Sequence, residues 1–127
     1  MITGVEHIAI FSNTPETLKD WYEKVFEFRI VKENDIKGTY WLQAPDGMLF
    51  ELKRATRKNN ESDEALSGLR HIALTVDNFE ETVDRLKKYQ IEMIMEPALS
   101  ATGGKTCFFR DPEGNIFQLI YRSLPLL

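Results

Sequence analysis

GVEHIAIFS, residues 4–12, decides the fold of this chain, because it returns as GLRHIALTV at residues 68–76. A second pair of segments repeats in the same order: PDGMLFEL at residues 45–52 and PEGNIFQL at residues 112–119. The first pair aligns His7 with His71, and the second aligns Glu51 with Gln118. Two copies of one supersecondary unit in a chain build a pseudo-symmetric body.

Each copy is predicted to form a strand, a helix and three further strands. The first helix begins at Thr14-Pro15, where Thr14 offers a hydroxyl cap and Pro15 suits the first helical position. The second begins after Asn78, which has Glu81 three residues on and resembles a capping box. The predicted strands cover residues 5–11, 28–33, 39–44 and 48–53 in the first copy, and 69–76, 91–95, 105–110 and 115–122 in the second.

These elements predict an α+β fold made of two tandem βαβββ modules. The modules cover about residues 1–53 and 68–123, and a polar segment over about residues 54–67 links them within a single domain, 1–127. We expect a curved mixed sheet with the helices on its outer face.

Composition excludes several classes of protein. The net charge is −4 and the sequence pI about 5.2, so there is no basic footprint for nucleic acid. No apolar run approaches the roughly 20 residues that cross a bilayer, and the first residues lack a secretory signal. The single Cys107 lies in an apolar stretch and is expected to be a buried thiol. A chain without an internal disulfide fits the cytoplasm.

Strand alternation separates the polar candidates from the bulky aliphatic side chains. His7 shares a face with Ala9, and His71 shares one with Ala73, because successive strand residues point to opposite faces. Glu51 and Gln118 likewise lie opposite their large apolar neighbours. We therefore expect the four polar side chains on the face without helices, in a concave site with room for a small molecule.

The same four residues suggest a metal site. Imidazole and carboxylate bind divalent Ni, Zn, Mn, Co or Fe, and an amide oxygen is a weaker ligand. For any one residue alone, ordinary packing or an ion pair is the better explanation. Because His7 matches His71 and Glu51 matches Gln118 in the repeat, the joint pattern favours a shared metal ion.

In these motifs, the chain resembles the vicinal oxygen chelate superfamily of glyoxalase I, bleomycin-resistance proteins and extradiol dioxygenases. The motifs that carry the resemblance are VEHIAIF, LRHIALTV and FFRDPEGNIFQLI, the last resembling the glyoxalase-type segment F-x-D-P-D-G-x-x-x-E-L. The resemblance is closest to glyoxalase I-like proteins, and it implies that His7, Glu51, His71 and Gln118 bind a divalent metal. It further implies a small substrate with adjacent oxygens, such as the hemithioacetal of an α-keto aldehyde with a thiol cosubstrate. A homodimer is also implied, in which two chains share the ligands.

Gln118 departs from the glyoxalase I pattern, which usually has Glu at this position. A Gln side chain does not accept a proton at neutral pH, so Glu51 is left as the candidate base. Two interpretations stay open: Glu51 alone moves the proton, or the chain binds a small molecule without catalysis, as bleomycin-resistance proteins do. An epimerase or thiol transferase of the superfamily is a further alternative, although transferases of the fosfomycin type keep their carboxylate on the last strand.

Four aromatic residues and several basic ones have no assigned role. Tyr40, Trp41, Phe108 and Phe109 could line a substrate pocket or belong to the core. Lys53, Lys105, Arg110 and Arg122 could hold an anionic substrate, or lie solvated on the surface. The residues that bind substrate are not identified from the sequence.

Overall fold

The computed structural model describes residues 1–57 and 67–127, which fall into two compact units, Met1–Asn60 and Glu61–Leu127. The first contains β1 (His7–Ser12), α1 (Pro15–Phe26), β2 (Arg29–Asn34), β3 (Thr39–Gln43) and β4 (Leu49–Arg54). The second contains β5 (Ile72–Thr75), α2 (Phe79–Lys88), β6 (Glu92–Leu99), β7 (Lys105–Arg110) and β8 (Ile116–Tyr121). The predicted α+β pair of βαβββ modules is thus confirmed.

Each module forms its own four-stranded mixed sheet. The strand order is β1-β4-β3-β2 in the first and β5-β8-β7-β6 in the second, so equivalent strands occupy equivalent places. In both sheets the opening strand runs parallel to the closing strand, and the remaining neighbours are antiparallel. This arrangement puts β1, which carries His7, beside β4, which carries Glu51. In the second module it puts β5 beside β8, which carries Gln118.

Each helix covers one face of its own sheet. The apolar stripe of α1 packs on β3 and β4, and α2 contacts β8. The buried helical residues are Pro15, Leu18, Tyr22 and Val25 in the first module and Phe79, Val83 and Leu86 in the second. Their buried sheet partners are Tyr40, Leu42, Phe50 and Leu52 in the first module and Cys107, Phe109, Phe117 and Leu119 in the second. Burial of these side chains drives folding of each module and leaves the opposite sheet face for the polar residues.

Two strands begin later than predicted. Strand β1 starts at His7 rather than residue 5, because its parallel partner β4 begins at Leu49, which pairs with His7. The second starts at Ile72 rather than residue 69, because its first partner on β8 is Phe117. His71 therefore lies one residue before its strand.

The predicted side-chain cap forms at the start of α2 but not at the start of α1. Asn78 is the N-cap of α2, and its side-chain oxygen accepts a hydrogen bond from the backbone N–H of Glu81 at 3.1 Å. Thr14 occupies the N-cap position of α1, but its hydroxyl makes no cap hydrogen bond, so that part of the prediction is wrong. The Thr14 carbonyl instead accepts from the backbone N–H groups of Thr17 and Leu18.

Two boundaries differ from the prediction at the strand ends. Arg54 belongs to β4 rather than to the linker, and β6 continues to Leu99. The rest of the predicted linker falls mostly at residues 58–66, outside the described residues. The arrangement of both modules as a single domain stays a prediction. In the described part of the chain, neither helix has the length and apolar character that crossing a membrane requires.

Candidate functional site

The first module brings two of the predicted ligands together on the sheet face opposite α1. Parallel pairing aligns Ala9 with Glu51, and His7 precedes Ala9 by two residues on the same face. As a result, Nε2 of His7 lies 3.9 Å from Oε1 of Glu51. Two atoms that share one ion through bonds of about 2.1 Å are about 3.0 to 3.4 Å apart. The pair therefore needs a closure of under about 1 Å to chelate a metal.

Two further side chains contact the ring of His7: Glu6 at Nδ1, and Trp41 through an aromatic contact. Nδ1 lies 2.8 Å from Oε1 of Glu6, and an ionised carboxylate can only accept, so Nδ1 carries the proton. Trp41 contacts the ring edge-on, with centroids 4.9 Å apart. A carboxylate on the far nitrogen is the usual support for a metal-binding histidine. His7 thus turns Nε2 towards Glu51.

The side chain of Glu51 lies on the sheet face opposite α1 and is largely shielded from solvent. Its side chain is 15% exposed, and its cross-strand neighbour is Trp41. Among the described residues, the nitrogen that lies within 4.0 Å of the Glu51 carboxylate belongs to His7 and not to a lysine or arginine. An ion pair with a lysine or arginine of the described part of the chain therefore does not explain this inward glutamate.

The second module repeats this layout with different polar groups. Pairing aligns Ala73 with Gln118, and Phe108 with Gln118. The ring of His71 contacts Phe108 edge-on at 5.1 Å between centroids, as His7 contacts Trp41. Nε2 of Gln118 donates to the Thr106 hydroxyl at 2.7 Å, which leaves the amide oxygen to accept a hydrogen bond or bind a cation.

The residues that precede the two histidines have opposite charges. Glu6 precedes His7, whereas Arg70 precedes His71 and places Nη1 3.1 Å from Nδ1 of that ring. The Arg70 guanidinium also lies over the face of Phe108, 4.8 Å from its centroid. Sequence reasoning missed Glu6, Arg70 and Thr106, although comparison of the two copies shows the first two as an exchange of opposite charges.

The structure brings His7 and Glu51 together in the first module, while in the second His71 contacts Phe108, the cross-strand neighbour of Gln118. Among the described residues, no three His, Cys, Asp or Glu side chains cluster so as to hold a metal ion. Each module taken alone supplies two of the candidate ligands, and the donor types suit a divalent ion. Their assembly around one ion stays a prediction.

The aromatic residues separate into two groups along each strand. Tyr40 and Phe109 are buried in the cores of their modules, 1% and 0% exposed. Trp41 and Phe108, one residue away on the opposite face, contact the histidines. The core explanation is therefore confirmed for Tyr40 and Phe109, and a role of Trp41 and Phe108 in lining a substrate pocket stays a prediction.

Two of the basic candidates have partners within their own module. Lys105 pairs with Glu80, and the Arg110 guanidinium donates to the Gly114 carbonyl at 2.8 Å. Asp111 is buried and accepts from the backbone N–H groups of Glu113 and Asn115, as expected of turn chemistry. Cys107 is buried as predicted, and burial raises the pKa of its thiol, which opposes a nucleophilic role.

A cleft of about 300 Å³ in the first module lies apart from the histidine and glutamate. It is lined by Glu27, Arg29, Gln43, Ala44, Pro45 and Gly47. Arg29 donates to Gln43 at 2.8 Å, and Gln43 donates to the Gly47 carbonyl at 3.3 Å. The lining contains none of the four candidate ligands, so the cleft is not where the metal chemistry is expected.

The chain belongs to the Glyoxalase/Bleomycin resistance protein/Dioxygenase superfamily, whose family model matches residues 4–119. The resemblance seen in the motifs is thereby confirmed at the level of the superfamily.

Individual relatives cover different shares of the chain. It is 28% identical over 120 residues to the uncharacterized protein YwkD of Bacillus subtilis strain 168, covering 89% of this chain and 92% of that protein. It is 32% identical over 91 residues to a 4-hydroxyphenylpyruvate dioxygenase of a Pseudomonas species, strain P.J. 874. That match covers 61% of this chain and 26% of the dioxygenase.

Solved structures share the fold. The glyoxalase family protein from Enterococcus faecalis is 27% identical, with a TM-score of 0.74 over 93% of this chain and 97% of that one. The fosfomycin resistance protein FosX from Listeria monocytogenes is 18% identical, with a TM-score of 0.78 over 98% of this chain and 97% of that one.

Proposed function

We propose that this protein is a metal-dependent, glyoxalase I-like lyase or isomerase that acts on a small substrate with two adjacent oxygens. The hemithioacetal of an α-keto aldehyde, with a thiol as cosubstrate, is the substrate class. The metal ligands in this proposal are His7, Glu51, His71 and Gln118. They bind divalent Ni, Zn, Mn, Co or Fe.

One observation carries the proposal: Nε2 of His7 lies 3.9 Å from the Glu51 carboxylate on the face opposite the helix. The Glu6 carboxylate orients the imidazole for this role. The repeat then places a second histidine, and an amide oxygen in place of the carboxylate, at equivalent positions in the other module. This set provides four ligand atoms and leaves coordination positions for substrate.

The chemistry follows from these side chains. When bound, the metal would supply Lewis-acid polarisation of the two substrate oxygens. Glu51 takes the proton from the carbon that bears the sulfur and returns it to the neighbouring carbonyl carbon, while the hydroxyl proton passes to the former ketone oxygen, so the hemithioacetal becomes a hydroxy thioester. Trp41 and Phe108 offer apolar walls beside the reacting atoms, since each contacts a candidate histidine ligand.

The names of the relatives agree with a substrate of this kind. The dioxygenase relative is named for 4-hydroxyphenylpyruvate, a 2-oxo acid, in which a ketone oxygen and a carboxylate oxygen are adjacent. This supports a substrate that chelates through two neighbouring oxygens, and it leaves the reaction type to be measured.

The second candidate is a binding protein that uses the same face without catalysis. Gln118 favours it, because its amide donates to Thr106 and does not act as a base at neutral pH. In that case the protein would hold a small planar or aromatic molecule beside Trp41 and Phe108, with or without metal.

We expect the protein to assemble as a homodimer. Val5 is 72% exposed and Phe11 68% exposed, and Phe11 lies on the same face of β1 as His7. The expectation comes from the superfamily resemblance, and an interface that includes Phe11 would cover this side chain. Light scattering on the purified protein measures the mass, and a monomer at micromolar concentration would contradict this part of the proposal.

Metal analysis of the purified protein, followed by loading with Ni, Zn, Mn or Co, tests the enzyme proposal. We expect bound metal in the wild type and weaker binding in Glu51→Gln, which keeps the shape and removes the charge. Glu23→Gln, an exposed change on α1, is the matched control and should bind metal as the wild type does. A wild type that takes up none of these ions would reject the enzyme and leave the binding protein.

A further inference from the structure

The two histidines receive opposite kinds of hydrogen bond at the same ring atom. Nδ1 of His7 lies 2.8 Å from a carboxylate oxygen of Glu6, and Nδ1 of His71 lies 3.1 Å from Nη1 of Arg70. A carboxylate is an acceptor and a guanidinium is a donor without lone pairs to offer. Nδ1 must therefore donate in His7 and accept in His71.

A neutral imidazole has one N–H, so these contacts decide where it lies. The proton of His7 lies on Nδ1, and that of His71 on Nε2. We infer that Glu6 and Arg70 hold the two histidines in opposite tautomers, and that Arg70 thereby keeps Nε2 of His71 from binding a metal ion. The tautomers do not depend on the proposed function, whereas the effect of Arg70 on metal binding rests on that function.

Phe108 gives the Arg70 contact a fixed support. The guanidinium lies over the ring at 4.8 Å from its centroid, and the imidazole of His71 contacts the same ring at 5.1 Å and 84°. The aromatic ring thus places the arginine and the histidine side by side. In the first module Trp41 supports His7 in the same way, but the neighbour of the imidazole there is acidic.

The consequence is an order of metal binding between the modules. With the neutral tautomer that Glu6 favours, His7 and Glu51 would hold the ion first. His71 would bind it through Nε2 only after Arg70 leaves Nδ1 and the ring proton moves there. Arg70 and Glu6 are positioning residues in this scheme. Partners of this kind change metal affinity by about 10- to 100-fold.

The tautomers are measured directly on the metal-free protein. The chain has two histidines, so its imidazole nitrogen NMR signals are few, and His7→Gln assigns them. At pH 8, where an ordinary imidazole is largely neutral, we expect the proton on Nδ1 in His7 and on Nε2 in His71. A wild-type His71 with its proton on Nδ1 would overturn the inference.

The metal consequence is measured by calorimetric titration with Zn²⁺ or Co²⁺. Arg70→Glu gives the second module the acceptor that the first module has, so we expect its His71 proton to move to Nδ1 and its affinity to rise about tenfold. Glu6→Gln should lower the affinity by a similar factor. Leu69→Glu, at a fully exposed position, adds the same acidic group without replacing Arg70, and is the control for simple attraction of cations.

The outcomes separate the two proposals. If Arg70→Glu shifts the tautomer but binds metal no tighter than Leu69→Glu, the claim that Arg70 restrains metal binding is overturned. If no form of the protein binds metal, the proposed function fails, and the NMR measurement alone decides the tautomers.

Discussion

Replacing Gln118 by Glu restores the second carboxylate that the glyoxalase I pattern has and this chain lacks. The structure indicates that the fold accepts the change. Gln118 is half-buried and donates from Nε2 to the Thr106 hydroxyl at 2.7 Å. A hydroxyl both donates and accepts, so Thr106 can rotate and donate to the new carboxylate. The hydrogen bond is kept with its direction reversed, and we expect the free energy of unfolding to change by less than about 1 kcal/mol.

The effect on activity follows from the number of bases in the site. With Glu51 as the sole carboxylate ligand, the metal and its ligands would have a formal charge of about +1, and the same group would have to bind the ion and move the proton. A second carboxylate lets one bind while the other moves the proton. A positioned general base contributes about 10²- to 10⁴-fold. We expect kcat/KM for hemithioacetal isomerisation to rise by at least about tenfold.

The assay compares wild type, Gln118→Glu and Thr106→Val, each with its metal content measured. Thr106→Val removes the partner of residue 118 without adding a carboxylate, so it should not gain activity. Unchanged or lower turnover in Gln118→Glu with metal still bound would refute the reasoning, because residue 118 would then not be the missing base position.

Two further predictions concern stability. Asn78→Ala removes the hydrogen bond to the Glu81 backbone N–H and should lower the free energy of unfolding by about 1 kcal/mol in urea denaturation. Thr14→Ala, at a cap whose hydroxyl makes no cap hydrogen bond, should cost less, and an equal loss would contradict the cap assignment. The Tyr40 hydroxyl donates to Asp35 at 2.7 Å, and this bond, with burial, raises the pKa of Tyr40. The unfolded chain then ionises first, so this stabilisation is complete below about pH 10 and lost above it. Tyr40→Phe should therefore be less stable by about 1 kcal/mol near neutral pH, and the difference should shrink in alkaline urea titrations.

The repeat made the fold predictable, and the strand ends show its limit. Every element was expected in its observed order, because two copies of one pattern constrain each other. The exact start of β1 depends on where β4 begins, and pairing starts with His7 and Leu49. A register between strands some forty residues apart is a tertiary property that local hydrophobic alternation does not contain. The irregularity between Ile30 and Lys32, repeated between Met93 and Met95, was not foreseen for the same reason.

Alternation also explains which parts of the site could be found. It placed His7 and Glu51 on one face, and the 3.9 Å contact confirms that placement. It would have placed Glu6 and Arg70 on the other face, because each precedes a histidine by one residue. Both lie before the first paired residue of their strands, where the pleat no longer dictates direction, so their side chains reach the imidazole rings.

The differences between the copies are as informative as the repeat. At two equivalent positions a carboxylate in the first module is replaced in the second, Glu6 by Arg70 and Glu51 by Gln118. Both exchanges make the second half more positive, so attraction for a cation is concentrated at His7 and Glu51. The second half keeps the shape of the first, with an imidazole against an aromatic ring. In the proposed metal site it would complete a coordination shell rather than begin one, and it would offer donors to the oxygens of an anionic substrate.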